Sequence, residues 1–205
     1  MSKCVTLSLL AACGGSAASS DPSGAVTGSA YGTTFNVASV YAFSFGGVDN
    51  NCTVVDGGPP QCSPGSVQVW LTNRTDDTCS FLQSVSASET EIAEFANQDV
   101  LVLNPANPNG ELTPGTYEVV PRTATNSTTA TTATLLTTTS TCKEDINQSA
   151  TGGTITLTVA TSAELKGTYD VTFGSQGSFS GRFDVAVCDI PATAVPPVPP
   201  KTVCL

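Results

Sequence analysis

The chain has 205 residues, 12% of them charged, and a net charge of −10 at neutral pH. Its seven Lys and Arg residues are scattered, so they do not form the basic cluster that binding to nucleic acid requires, and we exclude a nucleic-acid partner. The absence of histidine excludes Ser-His-Asp and Cys-His catalysis and every zinc site built with imidazole. Abundant Thr and Val, with 18 Gly and 13 Pro, favour an all-β fold.

The N-terminus is organised like an export signal. One positive charge precedes a short apolar run, which ends in small residues before Cys13. The segment Leu10-Ala11-Ala12-Cys13 resembles the lipobox of bacterial lipoproteins. The resemblance implies that residues 1–12 are a signal peptide and that Cys13 carries a lipid after cleavage. In some bacteria, an Asp directly after the lipidated Cys retains a lipoprotein in the inner membrane. Gly14 occupies that position in this chain, so the resemblance implies the outer membrane, facing either the periplasm or the outside.

The remaining sequence divides into three predicted parts. Residues 13–27 are rich in Gly, Ser and Ala and are predicted to be the lipidated cysteine and its flexible tether. Residues 28–190 contain the strand signals and are predicted to be the β domain. Residues 191–205 are predicted to be a proline-rich tail. Since no other stretch approaches the ~20 apolar residues that cross a bilayer, the lipid is the predicted contact with the membrane.

The cysteines predict disulfides. With Cys13 assigned to the lipid and Cys4 to the signal peptide, six cysteines remain, an even number typical of an exported chain with three disulfides. They are Cys52, Cys62, Cys79, Cys142, Cys188 and Cys204. Cys52 and Cys62 flank a short turn-rich loop and are predicted to pair with each other. Of the remaining pairings, Cys142 with Cys188 is preferred because both lie at predicted strand ends. The sequence contains no Cys-x-x-Cys pair, so the spacing of the cysteines does not indicate a metal site.

Strand signals recur at short intervals, separated by clusters of Gly, Pro, Asn and Asp. The predicted strands cover residues 30–37, 40–45, 66–72, 79–85, 100–103, 116–120, 154–159, 169–173 and 179–187. Residues 100–103 are apolar on both faces, as expected for a central strand. No helices lie between the strands to make parallel crossovers, so the pattern predicts a single antiparallel β-sandwich or barrel of roughly 8–10 strands.

The last two predicted strands also predict a register. The apolar residues of both strands stand at odd-numbered positions. They face one core only if odd-numbered residues of one strand lie opposite odd-numbered residues of the other. A three-residue loop, Ser175-Gln176-Gly177, meets this condition and places a glycine where a left-handed residue is wanted. In this register Phe173 lies opposite Phe179, and Asp170 lies opposite Arg182 as a surface ion pair.

Two further segments are predicted individually. Ser88-Glu89-Thr90-Glu91 has capping-box spacing before apolar residues at helical offsets, which predicts one short helix. Between residues 123 and 141, eleven of nineteen residues are threonine. We favour strands over a sugar-modified stalk for this segment, because Leu135 and Leu136 would have no role in a stalk.

Few residues are candidates for ligand binding. Asp49, Asp76 and Asp77 offer oxygen ligands of the kind that calcium prefers, although Asp clusters are also ordinary turn residues. Trp70 is a candidate for sugar stacking on an open sheet face, but a two-sided core is the preferred interpretation. Among the 17 acidic residues, no pair is singled out by its setting for glycoside hydrolysis.

These observations predict a non-catalytic, membrane-anchored exported lipoprotein with a structural, adhesive or envelope-interaction role. Its expected partner is an envelope protein or a glycan, and no cofactor, catalytic residue or metal site is predicted. The alternatives are a carbohydrate- or calcium-dependent binding module and a carboxylate-based hydrolase. Exposed aromatics in a concave surface would favour the module, and a buried carboxylate pair facing a pocket would favour the hydrolase. A smooth threonine-covered surface would favour the non-catalytic lipoprotein.

Overall fold

A computed structural model describes residues 23–45, 52–53, 61–62, 66–75, 79, 91–108, 110–123, 130–189 and 201–204. Within these residues the protein is all-β, which confirms the predicted fold class. The strands are β1 (Ser23–Ala30), β2 (Ser39–Phe45), β3 (Cys52–Thr53), β4 (Gln61–Cys62), β5 (Ser66–Thr72), β6 (Glu91–Glu94), β7 (Asp99–Asn104), β8 (Gly115–Glu118), β9 (Thr132–Thr138), β10 (Glu144–Ser149), β11 (Gly152–Ala160), β12 (Glu164–Thr172), β13 (Gly177–Asp189) and β14 (Lys201–Cys204).

Ten strands form one curled sheet with the order β10-β9-β7-β5-β2-β13-β12-β11-β8, and β1 pairs with β13 off this path. The long β13 joins the two halves: most of it lies between β12 and β1, and its last three residues pair with β2. The β13–β2 pairing is parallel, as is the short β14–β6 pairing. The sheet is therefore mixed rather than wholly antiparallel. No helix is needed for this crossover, because all of β3 to β12 lies between β2 and β13 in the chain.

Alternation of apolar and polar residues produces the core. In β12, every second residue from Leu165 to Val171 is buried, and the residues between them are exposed. Both halves of the sheet contribute to one cluster, in which Leu71, Leu101, Ile155 and Phe179 are fully buried. Each such side chain contributes roughly 1.5–3 kcal/mol relative to an exposed one.

Seven predicted strands are present with boundaries shifted by a few residues. The predictions at 40–45, 66–72, 100–103, 116–120, 154–159, 169–173 and 179–187 correspond to β2, β5, β7, β8, β11, β12 and β13. Residues 100–103 of β7 are buried on both faces, as predicted for a central strand. The predicted strand at 79–85 lies outside the described residues apart from Cys79.

The first strand does not lie where the sequence places it. The chain turns at Tyr31 and Gly32, which have positive φ angles of 53° and 75°, so the predicted strand at 30–37 is wrong. β1 instead includes residues 23–27, which the sequence assigns to the tether. Its small residues resemble a linker, but they serve close packing: a Cβ at Gly28 would overlap the carbonyl oxygen of Ser178 in β13.

The β12–β13 hairpin has the predicted loop length but begins one residue earlier. The loop is Gly174–Gln176, and the Phe173 amide donates to the Gly177 carbonyl at 2.8 Å. Val171 therefore lies opposite Phe179, and the predicted register is wrong by two residues. Both registers pair odd-numbered residues with odd-numbered residues and keep the apolar residues on one face, so the sequence pattern cannot distinguish them. Gly174 and Gly177 both have positive φ angles, of 61° and 119°, so the glycine predicted at position 177 has a positive φ although it lies just after the loop.

The predicted ion pair changes with the register. Asp170 lies opposite Ser180 instead of Arg182, so the prediction that pairs Asp170 with Arg182 across the hairpin is wrong. Four residues along each strand, Lys166 lies opposite Asp184, and their side chains form a salt bridge on the exposed face. This pair raises the pKa of Lys166 through its hydrogen bond and its charge.

The short helix predicted after Ser88 is also wrong where the structure describes it, because residues 91–94 form β6. This strand pairs in parallel with β14, which lies in the predicted proline-rich tail at 191–205. The disulfide between Cys142 and Cys204 ties β14 to the turn after β9. The capping-box pattern describes local preference only, and this distant pairing overrides it.

The threonine-rich segment contains a strand, as the preferred interpretation predicts. β9 covers Thr132–Thr138 and pairs with β7 and β10. Leu135 is fully buried, and Thr132 and Thr134 are 3% and 5% exposed. A sugar-modified stalk is therefore wrong for this stretch, while residues 124–129 lie outside the described part of the chain.

Candidate functional site

A polar cleft lies at the end of the sheet where β5 ends and β7 begins. It is shallow and largely open to solvent, with a volume of about 420 Å³, so it would bury only part of a small ligand. Its lining residues are Asn73, Arg74, Thr75, Ala96 and Asn97. None of them is among the sequence-predicted site residues, because Asn-Arg-Thr after a strand is ordinary turn chemistry. Only the pairing of β5 with β7 brings the two segments together.

Asn73 fastens the two walls of the cleft. Its Nδ2 donates to the carbonyl oxygen of Asn97 at 3.1 Å and to Oδ2 of Asp99 at 3.2 Å. Its Oδ1 accepts from the backbone amide of Asp99 at 3.0 Å. Asn97 adopts a positive φ of 52°, a conformation in which Asn is enriched. The Asn73 amide group therefore has a structural role and is not available to a ligand.

Arg74 supplies the positive charge of the cleft. Its guanidinium carbon lies 4.4 Å from the centre of the Phe95 ring, and Phe95 is 5% exposed. This cation–π contact holds the planar guanidinium in a defined orientation. Together with the exposed Asn97 and Thr75, it makes the cleft rich in hydrogen-bond donors. Such a surface suits hydroxyl or carboxylate groups of a ligand.

Asp99 lies beside the cleft, and burial raises the pKa of its carboxyl above the ordinary 3.8. The folded state therefore holds this proton more tightly than the unfolded state. The resulting stabilisation is present below about pH 4 and is lost as the pH rises through the folded-state pKa. We expect Asp99→Asn, which is neutral and keeps an amide oxygen for Asn73, to become more stable relative to the wild type between pH 4 and pH 7.

Urea denaturation at several pH values measures this difference. Asp170→Asn, at an exposed position, is the control for removal of one negative charge. A stability difference between Asp99→Asn and the wild type that stays constant from pH 4 to pH 7 would contradict the prediction.

Trp70 packs into the second apolar face of the sheet. Its ring centre lies 5.7 Å from that of Tyr41 and 5.6 Å from that of Phe43. Its Nε1 donates to Oε1 of Gln68 at 3.0 Å. Tyr41 and Phe43 are 2% and 3% exposed, and Trp70 itself is half-buried and packs against the core.

The outer face of the other half of the sheet is covered by small polar side chains. Five strands, β8, β11, β12, β13 and β1, present two complete cross-strand rows. The rows are Glu118, Thr154, Asp170, Ser180 and Thr27, and Thr116, Thr156, Thr168, Arg182 and Ala25. Hydroxyls join neighbouring strands at 3.0 Å between Thr116 and Thr156 and between Thr27 and Ser180. We call this surface the hydroxyl face.

Two disulfides join distant parts of the fold, Cys79 to Cys188 and Cys142 to Cys204. The preferred pairing of Cys142 with Cys188 is therefore wrong. Cys188 follows the crossover of β13 onto β2, where it lies beside Phe43, while Cys142 lies in the turn before β10. Strand-end position carries no information about which ends meet.

Other predicted site residues keep the status of predictions. Cys52 and Cys62 lie directly opposite each other in the β3–β4 pair, and their disulfide stays a prediction because their side chains are not described. Cys13 and the calcium candidates Asp49, Asp76 and Asp77 lie outside the described residues. Among the residues that the structure describes, no group of three or more Cys, Asp or Glu side chains could hold a metal.

Comparison with known proteins gives no relative: no family model, curated protein or solved structure matches the chain. In the described part of the chain, no helix is long and apolar enough to cross a membrane.

Proposed function

We propose that the chain is an exported, lipid-anchored lipoprotein with a non-catalytic structural, adhesive or envelope-interaction role. The observation that carries the proposal is the pair of disulfides, because disulfides persist in exported proteins and are rare in the reducing cytosol. The lipobox-like segment before Cys13 independently supports export. Its acylation would anchor the domain in the outer membrane, facing either the periplasm or the outside.

The anchor would keep the domain close to the membrane. Ten residue steps separate Cys13 from Ser23, the first residue of β1. At full extension these steps span at most about 35 Å. The β domain would therefore contact partners that lie near the membrane surface, such as envelope proteins or glycans.

The described surface supports a binding role rather than catalysis. The hydroxyl face carries mostly Thr and Ser side chains, with the charged Glu118, Asp170 and Arg182 among them. The exposed large hydrophobic residue in the described part of the chain is Val120, at 37%. The cleft presents a guanidinium, an amide and a hydroxyl. None of these three groups takes up or releases a proton readily near neutral pH, so the described lining residues offer contacts to a ligand rather than an acid–base pair.

Intact-mass measurement of the protein from its native envelope tests the proposal. We expect loss of residues 1–12, a lipid on the new N-terminal Cys13, and a gain of six protons on reduction. Cys13→Ser is expected to abolish the lipid and the membrane association. Cys4→Ser removes a cysteine outside the lipobox and is the matched control, expected to be processed normally. A full-length chain with free thiols would contradict both export and anchoring.

The cleft favours a second candidate function, a carbohydrate-binding module, because an arginine stacked on Phe95 lies beside polar groups in a shallow, open depression. Glycan-array binding with Arg74→Ala tests it. We expect that variant to lose at least tenfold in affinity. Arg182→Ala, on the hydroxyl face, is expected to bind normally. Equal binding by both variants would place the ligand elsewhere.

A further inference from the structure

Asparagine two residues before a Ser or Thr is the acceptor for N-linked sugars, provided that the middle residue is not proline. The sequence contains four such sites, at Asn51, Asn73, Asn126 and Asn147. Asn73 and Asn147 lie among the described residues, whereas Asn51 and Asn126 lie outside them. The structure therefore allows a direct comparison of two acceptor asparagines in one fold.

The side chain of Asn147 is accessible. It is exposed on β10, the terminal strand of the sheet, which pairs with β9 on one side. Its Nδ2 donates to Oε2 of Glu144 at 2.9 Å in an exposed hydrogen bond, and such surface bonds contribute little to stability. The other edge of a terminal strand presents backbone groups outward. An enzyme can therefore engage the segment Asn147-Gln148-Ser149 in an extended conformation.

Asn73 is different, because its side chain is already used inside the fold. Both its Nδ2 and its Oδ1 are bonded to the segment that precedes and begins β7, at Asn97 and Asp99. Modification of this nitrogen would break the bonds that hold the cleft walls together. Among the described residues, the folded protein thus contains one accessible acceptor asparagine, Asn147, and one whose side chain is bonded within the fold, Asn73.

We propose that Asn147 is an N-glycosylation site. The sugar donor is a lipid-linked diphosphate oligosaccharide, used by a transferase on the exported side of the membrane. A bond forms between Nδ2 and the anomeric carbon of the sugar as the bond from that carbon to the diphosphate oxygen breaks. The Nδ2 proton passes to a base of the transferase, and the lipid diphosphate leaves. No atom is oxidised or reduced, and the inference rests on the proposed export.

The position of Asn147 gives the sugar a physical role. Asn147 lies opposite Leu136 of β9, which is half-buried. An unpaired edge strand can pair with the edge of another molecule, and proteins protect such edges with bulky or charged groups. A sugar at this position would cover the β10 edge and the adjacent part of Leu136. We therefore expect the unglycosylated protein to self-associate more readily.

Trypsin isolates the site in one peptide. Cleavage after Lys143 and Lys166 releases residues 144–166, which contain Asn147 as their single asparagine. In protein purified from its native envelope, we expect this peptide to carry a sugar mass on Asn147 in most copies. Asn147→Gln and Ser149→Ala are expected to abolish the modification, and Ser149→Thr is expected to retain it. Asn126→Gln removes a different acceptor site, and as the matched control it is expected to leave the modification of residues 144–166 unchanged.

The processing state of the same sample distinguishes the two proposals. An unmodified Asn147, or sugar only on Ser or Thr, in a lipidated chain that has lost residues 1–12 overturns the site and leaves the proposed function intact. If the chain keeps residues 1–12, the proposed function fails. The folded protein is then incubated with a purified oligosaccharyltransferase and a lipid-diphosphate sugar. Transfer to Asn147 at least tenfold faster than to Asn73 supports the site, and no transfer to Asn147 overturns it.

Discussion

Replacement of Gly181 by Ala is expected to lower the free energy of unfolding by about 3 kcal/mol, because it overpacks the contact between β1 and β13. A Cβ at position 181 would overlap the carbonyl oxygen of Ala25 in β1 and would lie 2.6 Å from the hydroxyl of Tyr169. The first of these atoms belongs to the backbone, so it cannot move aside without displacing the strand. That hydroxyl also donates to the Ala25 carbonyl at 2.9 Å, and burial raises its pKa so that it stays protonated.

Chemical denaturation measures the effect, and two variants make it specific. Gly115→Ala is the matched control in β8, because the nearest atom to its Cβ would be the Thr113 carbonyl oxygen at 3.9 Å. We expect it to change stability by less than about 0.5 kcal/mol. Tyr169→Phe removes one hydrogen bond and is expected to cost about 1 kcal/mol. If Gly181→Ala were as stable as Gly115→Ala, the close approach of β1 to β13 would be contradicted.

Removal of the disulfide between Cys79 and Cys188 is expected to have the largest effect on stability. The two cysteines are 109 residues apart, and in the chain-entropy model a bridge that closes such a loop contributes about 4–5 kcal/mol. Cys188 is 3% exposed beside the junction of β13 and β2, which joins the two halves of the sheet. We expect the double variant Cys79→Ser/Cys188→Ser to have a lower free energy of unfolding for the whole fold.

The disulfide between Cys142 and Cys204 provides the contrast. Cys204 is exposed and ends β14, a four-residue strand whose described pairing is with β6. A pair of short strands is not stable alone, so Cys142→Ser/Cys204→Ser is expected to release β14 and β6 while the ten-stranded sheet stays folded. Hydrogen exchange measured by mass spectrometry distinguishes local from global loss. Fast exchange throughout the sheet in Cys142→Ser/Cys204→Ser would contradict a local role for that disulfide. Protection of the sheet retained in Cys79→Ser/Cys188→Ser would contradict a global role for the other.

The regular strands could be predicted from sequence because their information is local. Thr154 to Val159 alternates polar and apolar residues, and β11 follows that alternation, with Ile155 and Leu157 in the core. The apolar run at residues 100–103 predicted burial on both faces of β7, and the structure confirms it. The candidate cleft could not be predicted in this way, because its residues converge only through the pairing of β5 and β7.

The sequence by itself determined the all-β class, the positions of most core strands and the exclusion of histidine-based chemistry, because composition and side-chain periodicity are properties of short segments. The tertiary structure decided the parallel pairing of β13 with β2, the strand at residues 91–94, the hairpin register and the partners of Cys142 and Cys188. Each of these depends on which distant backbones approach each other. Small residues such as Gly28 and Gly181 permit that approach without showing in the sequence which strand will fill the space.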